Sequence, residues 1–529
     1  MTKKDTLLVA LIIFFGFLLR LSGIGFGLPS KNRALTTYNP DEALTFYTLE
    51  AMNPAKFDFN PRRAFLWGGF SVYLTGVTLK IAQVLGIVNP SSRQYLIENL
   101  KEADKLYIVA RMIPVILGTA SILIIFLIVK NIFGPLEGFL SAALLAITPA
   151  HIVNSFYVRP DVMMLFFALS GILFAYKRYY FLSGFLIGLA AATKLNAAVF
   201  AVIPLLLFLF DKSFSKKASV PVFILSCFAG FFVGCPYSII DFKGFTTFLL
   251  QNVTLAKGSM SPGQYILFGP GIISYLTYYL PYSAGIPLLF AGIAGFIPSF
   301  FASKNDRLFA FSFIVIYLFA SATSNQVVWY TIPVLPFLII FASRLISIIA
   351  SMERLKILSC TIFTIVFCYT AVYSIATLSL YTRKNTREEA ADWIEKNIKA
   401  GSKIAIARSY FWTPPVLRQY NPPYKLIMGG DIQSTPDVYI PGLLPAAKKA
   451  EYVVLSEFEY RDYVHPKLRS HFPLQANVFD YVMNGKNFQE IASFDKEASF
   501  LGIKFKKNYP PGDWLLPSPK IIVYRKVKK

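Results

Sequence analysis

Two adjacent carboxylates follow the first apolar stretch of the chain, in the motif Tyr38-Asn39-Pro40-Asp41-Glu42-Ala43. One such carboxylate can remove a proton from a nucleophile while its neighbour tunes the charge of the site. Acidic residues just after a proline are also typical of the first turn of a helix, where the helix dipole favours negative charge. The motif therefore indicates either an acid/base site or a helix start, and both interpretations stay open at this point.

Two cations border or interrupt apolar runs further along the chain. Arg159 and Asp161 lie in the stretch NSFYVRPD at 154–161. They can neutralise each other at a helix start, or Arg159 can hold an anionic group beside Asp161. In the stretch GLAAATKLN at 188–196, Lys194 breaks an apolar run. This lysine either extends to a membrane interface or contacts a phosphate as a point charge.

The elements that position these residues are predicted to be helices in a lipid bilayer, because the chain is too apolar for a water-soluble protein. Hydrophobic residues make up 55% of the 529 residues and charged residues 15%, and the mean hydropathy is +0.52. One globular core cannot use so many apolar residues, so the bilayer is a predicted partner. The net charge of +23 is spread over the ends of the apolar runs, which is typical of topology signals and argues against nucleic acid as a partner.

The apolar runs predict a polytopic α-helical membrane protein with a C-terminal soluble α/β domain. Residues 1–380 form a transmembrane domain of about eleven helices, and residues 381–529 form the soluble domain. Residues 181–210, broken by Lys194 and Asn196, predict two short helices that meet at the membrane surface. Residues 64–88 are diluted by glycines and polar residues, and predict an amphipathic helix that lies in the interface. The runs of spanning length are 7–28, 108–129, 136–153, 162–176, 220–235, 272–301, 308–322, 332–350 and 355–380.

Charge asymmetry predicts the orientation of the chain. If residues 64–88 lie flat, every loop on one side is basic, and the positive-inside rule makes that side cytoplasmic. The protein is then predicted to lie in the inner (plasma) membrane of the cell. Its N-terminus lies in the cytoplasm, and its C-terminal domain lies on the extracytoplasmic side. Counting the membrane spans in this arrangement assigns Asp41, Arg159, Asp161 and Lys194 to one outer face. The basic loops contain Lys3/Lys4, Lys130, Lys177/Arg178, Lys212/Lys216/Lys217, Lys304/Arg307 and Arg354/Lys356.

The sequence beyond residue 380 becomes polar and predicts a small α/β domain. Thr386 followed by Glu389 predicts a capping box ahead of a helix at 388–399, which ends before Gly401. Short runs of β-forming residues predict strands at 403–407, 452–456 and 521–524.

Seven stretches, in their order and spacing, relate the chain to a known family. They are Arg20 at the end of the first apolar run, Pro40-Asp41-Glu42, Ala110-Arg111, residues 149–161, residues 188–196, YTIPVLPFL at 330–338 and NTREEAADWIEKNIKAGSKIAI at 385–406. With these residues the chain resembles the GT-C glycosyltransferases of the protein O-mannosyltransferase and aminoarabinose transferase type, over nearly its whole length. These enzymes take a sugar from a polyprenyl phosphate.

The resemblance implies an inverting transfer to a protein, lipid or glycan acceptor on the extracytoplasmic face. It implies that Asp41 is the general base in a catalytic first outer loop at 29–107, with Glu42 as its modulator. Asp161 is then a second carboxylate on the acceptor side or a pairing partner. Arg159 and Lys194 are candidate contacts of the donor phosphate. The family's horizontal juxtamembrane helices agree with a flat segment at 64–88.

Two stretches depart from the family pattern. Val328-Trp329-Tyr330 has no arginine before the tyrosine, so no phosphate-binding arginine is assigned there and Tyr330 remains the substrate-binding candidate. Arg62 and Arg63 lie where the family usually has an aromatic, proline-rich stretch. They either bind the donor phosphate or anchor the loop to lipid headgroups.

A membrane transporter or lipid flippase is the alternative from a different functional class. It predicts polar residues or broken helices at the bilayer midplane in two corresponding halves, whereas the polar residues here lie near one predicted face. A membrane-anchored binding protein is a third alternative, but the C-terminal part has no GxGxxG motif. No cofactor is predicted: acidic side chains could hold Mg²⁺, yet His and Cys form no ligand cluster in the sequence.

Overall fold

The computed structural model describes residues 2–62, 67–210, 216–257, 262–323 and 326–528. Among these residues, helices fill the chain up to Thr382 and the named strands lie beyond residue 402. The helix that ends at Thr382 stops close to the predicted domain boundary at 380. The helices before this boundary are α1 (Lys3–Leu21), α2 (Pro29–Asn32), α3 (Pro40–Ala51), α4 (Phe70–Val84), α5 (Arg93–Glu98), α6 (Leu100–Ile132), α7 (Pro135–Ile147), α8 (Pro149–Asn154), α9 (Pro160–Tyr176), α10 (Tyr180–Thr193), α11 (Val202–Phe210), α12 (Lys216–Gly234), α13 (Tyr237–Ile240), α14 (Phe242–Lys257), α15 (Pro262–Phe268), α16 (Gly271–Ser274), α17 (Leu280–Ala284), α18 (Ile286–Ser299), α19 (Lys304–Ser321), α20 (Leu335–Ser351) and α21 (Lys356–Thr382).

Among the described residues, two helical stretches, Leu100–Ile132 and Glu353–Asn397, are long and apolar enough to cross a membrane, and eight further apolar helices have 10 to 17 residues. Most of the shorter ones, with α9 and α20 among them, contribute to one large core of buried apolar side chains together with α6 and α21. A mostly helical, multi-helix architecture is therefore confirmed. The predicted number of about eleven spans stays a prediction.

The run at 181–210 is broken at the predicted place. Helix α10 ends at Thr193, Lys194 is extended with φ −151° and ψ 120°, and a 3₁₀ segment, Leu195–Ala201, leads into α11. Residues 70–84 of the 64–88 segment form α4, while residues 64–66 lie outside the described residues. That both segments lie at a membrane surface stays a prediction.

Small residues bring α10 and α12 into close contact. A Cβ atom added at Gly184 would lie 2.2 Å from the carbonyl oxygen of Phe223, and one added at Gly188 would lie 2.1 Å from that of Cys227. Glycines four residues apart let two helix backbones approach each other in this way. Helix α10 is thereby held firmly against α12, and its C-terminal end, where Lys194 lies, has a defined position.

The C-terminal part contains a five-stranded sheet with the order β2-β1-β3-β7-β4, in which β2, β1 and β3 are parallel and β7 and β4 are antiparallel to their neighbours. The predicted strands at 403–407, 452–456 and 521–524 are confirmed as β1, β3 and β7. A separate pair, β5 and β6, forms a short hairpin. The elements are α22 (Thr386–Asn397), β1 (Lys403–Ile406), β2 (Lys425–Met428), α23 (Pro436–Lys449), β3 (Tyr452–Ser456), α24 (Glu457–Val464), α25 (Pro473–Met483), β4 (Phe488–Phe494), β5 (Ala498–Phe500), β6 (Ile503–Phe505), α26 (Gly512–Leu515) and β7 (Ile521–Lys526).

The predicted capping box of α22 is wrong by one residue. The N-cap is Asn385, whose side chain accepts the backbone N–H of Arg387. The hydroxyl of Thr386 instead donates to the carbonyl oxygen of Pro519 at 2.7 Å. A tertiary contact with the segment before β7 therefore replaces the local cap that the sequence pattern indicates.

The C-terminal part is docked on the segment that precedes α3, which comprises the end of α2 and the loop after it. Arg33 forms a two-pronged ion pair with Glu395, with N–O distances of 2.5 and 2.9 Å. Arg418 donates to the side-chain oxygen of Asn32 at 2.8 Å, and the guanidinium of the buried Arg387 lies 3.8 Å from the ring centre of Tyr38. Paired ions and a stacked arginine at one interface favour a fixed arrangement of the two parts.

The buried carboxyl of Glu459 gives the C-terminal part a testable pH dependence. Burial raises the pKa of Glu459 from its ordinary 4.5 to about 7, although it accepts hydrogen bonds from Trp412 at 3.0 Å and from the backbone of Ser456 at 2.8 Å. Because the folded-state pKa is the higher one, the folded protein binds the proton more tightly. The stabilisation is therefore complete below about pH 4.5 and is lost as the pH rises through 7, by on the order of 3 kcal/mol.

We expect Glu459→Gln to remove most of this dependence. The measurement is the unfolding temperature of the full-length protein at pH 5 and pH 8, followed by tryptophan fluorescence, with the exposed Glu490→Gln as control. The loss between the two pH values should be smaller in Glu459→Gln than in the wild type and the control. An equal loss in all three proteins would contradict an important contribution of this carboxyl.

Candidate active site

Four charged residues from three separate parts of the chain meet at one end of the helix pair α9 and α10. The pair is joined by residues 177–179, so the start of α9 lies beside the end of α10. The ammonium group of Lys194 lies 2.6 Å from Oδ1 of Asp161. Nη2 of Arg159 lies 3.4 Å from Oδ2 of Asp161 and 3.4 Å from Oδ2 of Asp41. These contacts connect the four residues into one group, the charged cluster.

The members of the charged cluster differ in their exposure. The side chains of Asp161 and Arg159 are 1% and 3% exposed, and that of Lys194 is 10% exposed, whereas that of Asp41 is 35% exposed. A buried charge is tolerated when it is paired, and these three buried groups neutralise each other in part. Asp41 is thus the carboxylate of the cluster that a molecule arriving from outside can reach.

Helix starts explain why the two aspartates lie here. Asp41 is in the first turn of α3 after Pro40, and its backbone N–H is capped by the side chain of Asn39 at 3.1 Å. Asp161 is in the first turn of α9 after Pro160. Both carboxylates therefore sit at the positive end of a helix dipole. The helix-start interpretation of these motifs is confirmed, and it is compatible with an additional chemical role.

Two aromatic rings cover the cations of the charged cluster. Trp329 and Tyr330 belong to the 3₁₀ segment Val328–Thr331. The guanidinium of Arg159 lies 3.6 Å from the ring centre of Trp329, and the ammonium of Lys194 lies 4.6 Å from that of Tyr330. Such cation–π contacts hold a cation in place without neutralising it. Tyr330 is one of the predicted substrate-binding residues. Trp329 was not predicted as a site residue, and the sequence singles it out only within the stretch at 328–330 that departs from the family pattern.

Glu42 points away from the charged cluster into a fully buried ion pair. Its carboxylate accepts two hydrogen bonds from Arg111, at 2.9 and 2.6 Å, and neither side chain is exposed. The hydroxyl of Thr37 and the backbone N–H of Val158 donate to the same carboxylate, at 2.6 and 2.9 Å. Glu42 thereby connects α3, α6 and the segment that leads to Arg159. Its predicted role as a modulator of Asp41 stays a prediction, and the connection explains how it would position Asp41.

We expect Arg111→Met to destabilise the protein strongly, because it leaves the buried carboxylate of Glu42 unpaired. The expected loss is about 3 to 5 kcal/mol, seen as a lower unfolding temperature in detergent or nanodiscs. The double variant Arg111→Met/Glu42→Leu removes both charges and should recover most of that loss. Single and double variants with equal unfolding temperatures would contradict the positioning role of this pair.

Arg62 contacts residues that are close to it in the chain. It forms an ion pair with Asp58 at 2.5 Å and donates to the carbonyl oxygen of Ala51 at the end of α3. Within the contacts of the described residues, Arg62 does not join the charged cluster. Arg63 lies outside the described residues. The phosphate-binding and lipid-anchoring interpretations of this pair both stay predictions.

Within the ranges that the structure describes, no group of three or more His, Cys, Asp or Glu side chains is placed to hold a metal ion. Independence from a metal stays a prediction, as does the absence of a cofactor. The charged cluster itself combines two cations and two carboxylates. It can therefore hold an anion at Arg159 and Lys194 and accept a proton at Asp41.

The overall structure is similar to several solved membrane enzymes. The oligosaccharyltransferase of Archaeoglobus fulgidus in its apo form is 13% identical, with 96% of this chain and 75% of that chain covered and a TM-score of 0.52. The same archaeal enzyme, AglB, in complex with an inhibitory peptide and a dolichol-phosphate is 12% identical, with 96% and 74% covered and a TM-score of 0.52. ArnT from Cupriavidus metallidurans bound to undecaprenyl phosphate is 13% identical, with 98% and 97% covered and a TM-score of 0.52. No curated protein sequence matches the chain.

The fold is that of the GT-C membrane glycosyltransferases, and the comparisons support the expected activity of a glycosyltransferase. Residues 102–240 match the family model of the dolichyl-phosphate-mannose-protein mannosyltransferases. This matched stretch contains Arg111, Arg159, Asp161 and Lys194. The resemblance found in the sequence is thus confirmed by a family match over one part of the chain and by a shared fold over nearly all of it.

Proposed function

We propose that this protein transfers a sugar from a polyprenyl-phosphate donor to an acceptor on the extracytoplasmic face of the membrane, with inversion at the anomeric carbon and with Asp41 as the general base. The charged cluster is the observation that supports the proposal most strongly. It combines one accessible carboxylate, Asp41, which lies 3.4 Å from Arg159, with a second cation, Lys194, and both cations are held by burial and by aromatic rings. The solved structures of ArnT with undecaprenyl phosphate and of AglB with a dolichol-phosphate support a lipid phosphate as the donor's carrier.

Arg159 and Lys194 are suited to bind the donor phosphate because the buried part of the cluster has a surplus of positive charge. Within the cluster, two cations face one buried carboxylate, that of Asp161, which leaves about one positive charge among these three groups to attract an anion. When polyprenyl phosphate leaves, a second negative charge develops on the phosphate. Fixed cations in a site of low dielectric constant stabilise that charge more than the ground state, and this difference accelerates the reaction.

Asp41 is suited to accept the acceptor's proton. As the acceptor's hydroxyl or amine forms a bond with the anomeric carbon, its proton moves to the carboxylate of Asp41. The bond between the anomeric carbon and the phosphate oxygen breaks, and its electron pair leaves with polyprenyl phosphate. The charges balance because the proton gained by Asp41 compensates for the negative charge gained by the leaving group.

The other predicted residues take supporting roles in this proposal. Asp161 keeps the two cations at a fixed separation, and Glu42 holds the start of α3 through Arg111. Tyr330 covers Lys194. A donor with a long lipid tail stays in the bilayer, since burial of each CH₂ group contributes about 0.8 kcal/mol. A site at the end of apolar helices is therefore in the right place for such a donor, and the positive-inside pattern of the sequence supports a position of that end outside the cytoplasm.

The function is tested with purified protein in nanodiscs that contain a radiolabelled undecaprenyl-phosphate sugar, with mannose as the first sugar and a panel of hexoses and pentoses after it. Release of undecaprenyl phosphate, coupled to label in an acceptor or in free sugar, is the expected result. In sealed vesicles, movement of the intact labelled donor between leaflets without bond cleavage would instead establish a flippase and overturn the proposal. Absence of both reactions with the whole panel would overturn it as well.

A further inference from the structure

A segment of the C-terminal part enters the core of the membrane-associated helices. Helix α26 and the residues around it place Trp514 and Leu516 in the same core cluster as the helices. The indole N–H of Trp514 donates to the hydroxyl of Tyr373 on α21 at 3.0 Å. The segment is therefore held in the helical core by apolar burial and by a buried hydrogen bond.

This segment brings one carboxylate, Asp513, to the wall of the candidate active site. The residue is 8% exposed. Its Oδ2 accepts the backbone N–H of Trp329 at 3.3 Å, and the ring of Trp329 lies against Arg159 of the charged cluster. Asp513 is also close enough to Arg159 and Tyr330 to act on both electrostatically.

The second oxygen of Asp513 is buried and has no hydrogen-bond donor among the described residues. A buried carboxylate oxygen without a donor costs free energy, and a ligand that donates the missing hydrogen bond would remove that cost. The proposed donor would bring several hydroxyl groups to this place once its phosphate is bound at Arg159 and Lys194. Each of these hydroxyls is a hydrogen-bond donor.

We propose that Oδ1 of Asp513 accepts a hydrogen bond from a hydroxyl group of the transferred sugar, so that the C-terminal part completes the donor site and contributes to the choice of sugar. This inference rests on the proposed function, because it assumes a sugar phosphate at the charged cluster. It assigns to Asp513 a role in specificity that is separate from binding of the phosphate. A site built to receive a hydroxyl discriminates strongly against analogues that lack it.

The test compares Asp513→Ala and Asp513→Asn with the wild type in two measurements. The first is kcat/KM with undecaprenyl-phosphate mannose, or with the sugar of the panel that the wild type turns over best. The second is the Kd for undecaprenyl phosphate without a sugar. We expect kcat/KM for Asp513→Ala to fall by about 10- to 100-fold, the effect of one lost hydrogen bond to a charged group, while the Kd for the bare lipid phosphate changes less than about twofold.

Deoxy analogues of the same donor identify the hydroxyl. One analogue should be a poor substrate for the wild type and should lose no further activity with Asp513→Ala, because the hydrogen bond is already absent. Asp431→Asn, an exposed residue of the C-terminal part, serves as the control and should match the wild type. If Asp513 only fixes the segment to Trp329, both variants will weaken lipid-phosphate binding and sugar transfer in parallel, with additive losses for every deoxy analogue, and the inference is overturned.

The outcomes also separate this inference from the proposed function. A wild type without transferase activity would overturn the proposed function itself. An active wild type whose Asp513→Ala variant has the same kcat/KM and the same preference among sugars would overturn only the role of Asp513.

Discussion

Asp41→Asn is expected to lower the rate of sugar transfer by about 10²- to 10⁴-fold, the range over which a general base contributes to catalysis. The amide has nearly the shape of the carboxylate, and it can still lie beside Arg159, but it cannot accept a proton. Because Asp41 is accessible and makes one long contact within the cluster, the exchange should leave the fold intact. The measurement is the initial rate of release of undecaprenyl phosphate at saturating donor.

Glu50→Gln is the matched control for this variant. Glu50 is an exposed carboxylate near the end of the same helix, α3, and pairs with Arg93 at 3.3 Å. We expect wild-type rates and wild-type unfolding temperature from it. Asp41→Asn should bind undecaprenyl phosphate about as well as the wild type, because the phosphate contacts are unchanged. A near-normal transfer rate in Asp41→Asn would remove Asp41 from the role of base.

Lys194→Met is expected to weaken binding of undecaprenyl phosphate by about 10- to 100-fold, since a charge-assisted contact contributes about 1.5 to 3 kcal/mol. Transfer should fall by a larger factor than binding, because the lysine also stabilises the charge that develops on the leaving phosphate. The measurement is the Kd for undecaprenyl phosphate together with the transfer rate at saturating donor.

Loss of Lys194 also removes one of the two cations that neutralise the carboxylate of Asp161. This second effect needs its own control. The double variant Lys194→Met/Asp161→Asn removes the excess negative charge and should restore most of the unfolding temperature, while the transfer rate stays at least about tenfold low because the contact to the phosphate is absent. Lys105→Met, an exposed lysine near the start of α6, should behave as the wild type. Normal phosphate affinity in Lys194→Met would contradict its assignment.

The sequence alone was sufficient to predict that Asp41, Arg159, Asp161 and Lys194 lie together. Each follows or ends an apolar run, so counting the runs assigns all four to the same side of the membrane. Their mutual contacts follow from the short connection between α9 and α10 and from the position of α3. The predicted strands β1, β3 and β7 were likewise visible as short runs of β-forming residues bounded by polar ones.

The residues that the sequence did not reveal are those whose partners are far away in the chain. Trp329 meets Arg159 and Asp513 across long stretches of sequence, and periodicity carries no information about such pairs. Arg111 was visible as part of a motif, but its pairing with Glu42 depends on how α3 packs against α6. The incorrect cap of α22 has the same origin, because a contact of Thr386 with Pro519 overrides a local pattern.

The distinction between Asp41 and Glu42 also required the structure. The two carboxylates are neighbours in one helical turn, yet one faces the cluster and the other is enclosed by Arg111. A residue in a helix points about 100° away from its neighbour, so adjacent carboxylates rarely share a site. The sequence indicates that one of the two carboxylates can act as a base, and packing identifies Asp41 as the accessible one.

The most direct test of the central claim is a cryo-electron microscopy structure of the Asp41→Asn protein in nanodiscs with a bound undecaprenyl-phosphate sugar. The account predicts the phosphate within hydrogen-bonding distance of Arg159 and Lys194, and the residue at position 41 facing the anomeric carbon from the side opposite the phosphate. A phosphate bound elsewhere, such as at Arg62, or an anomeric carbon that faces away from residue 41, would contradict it.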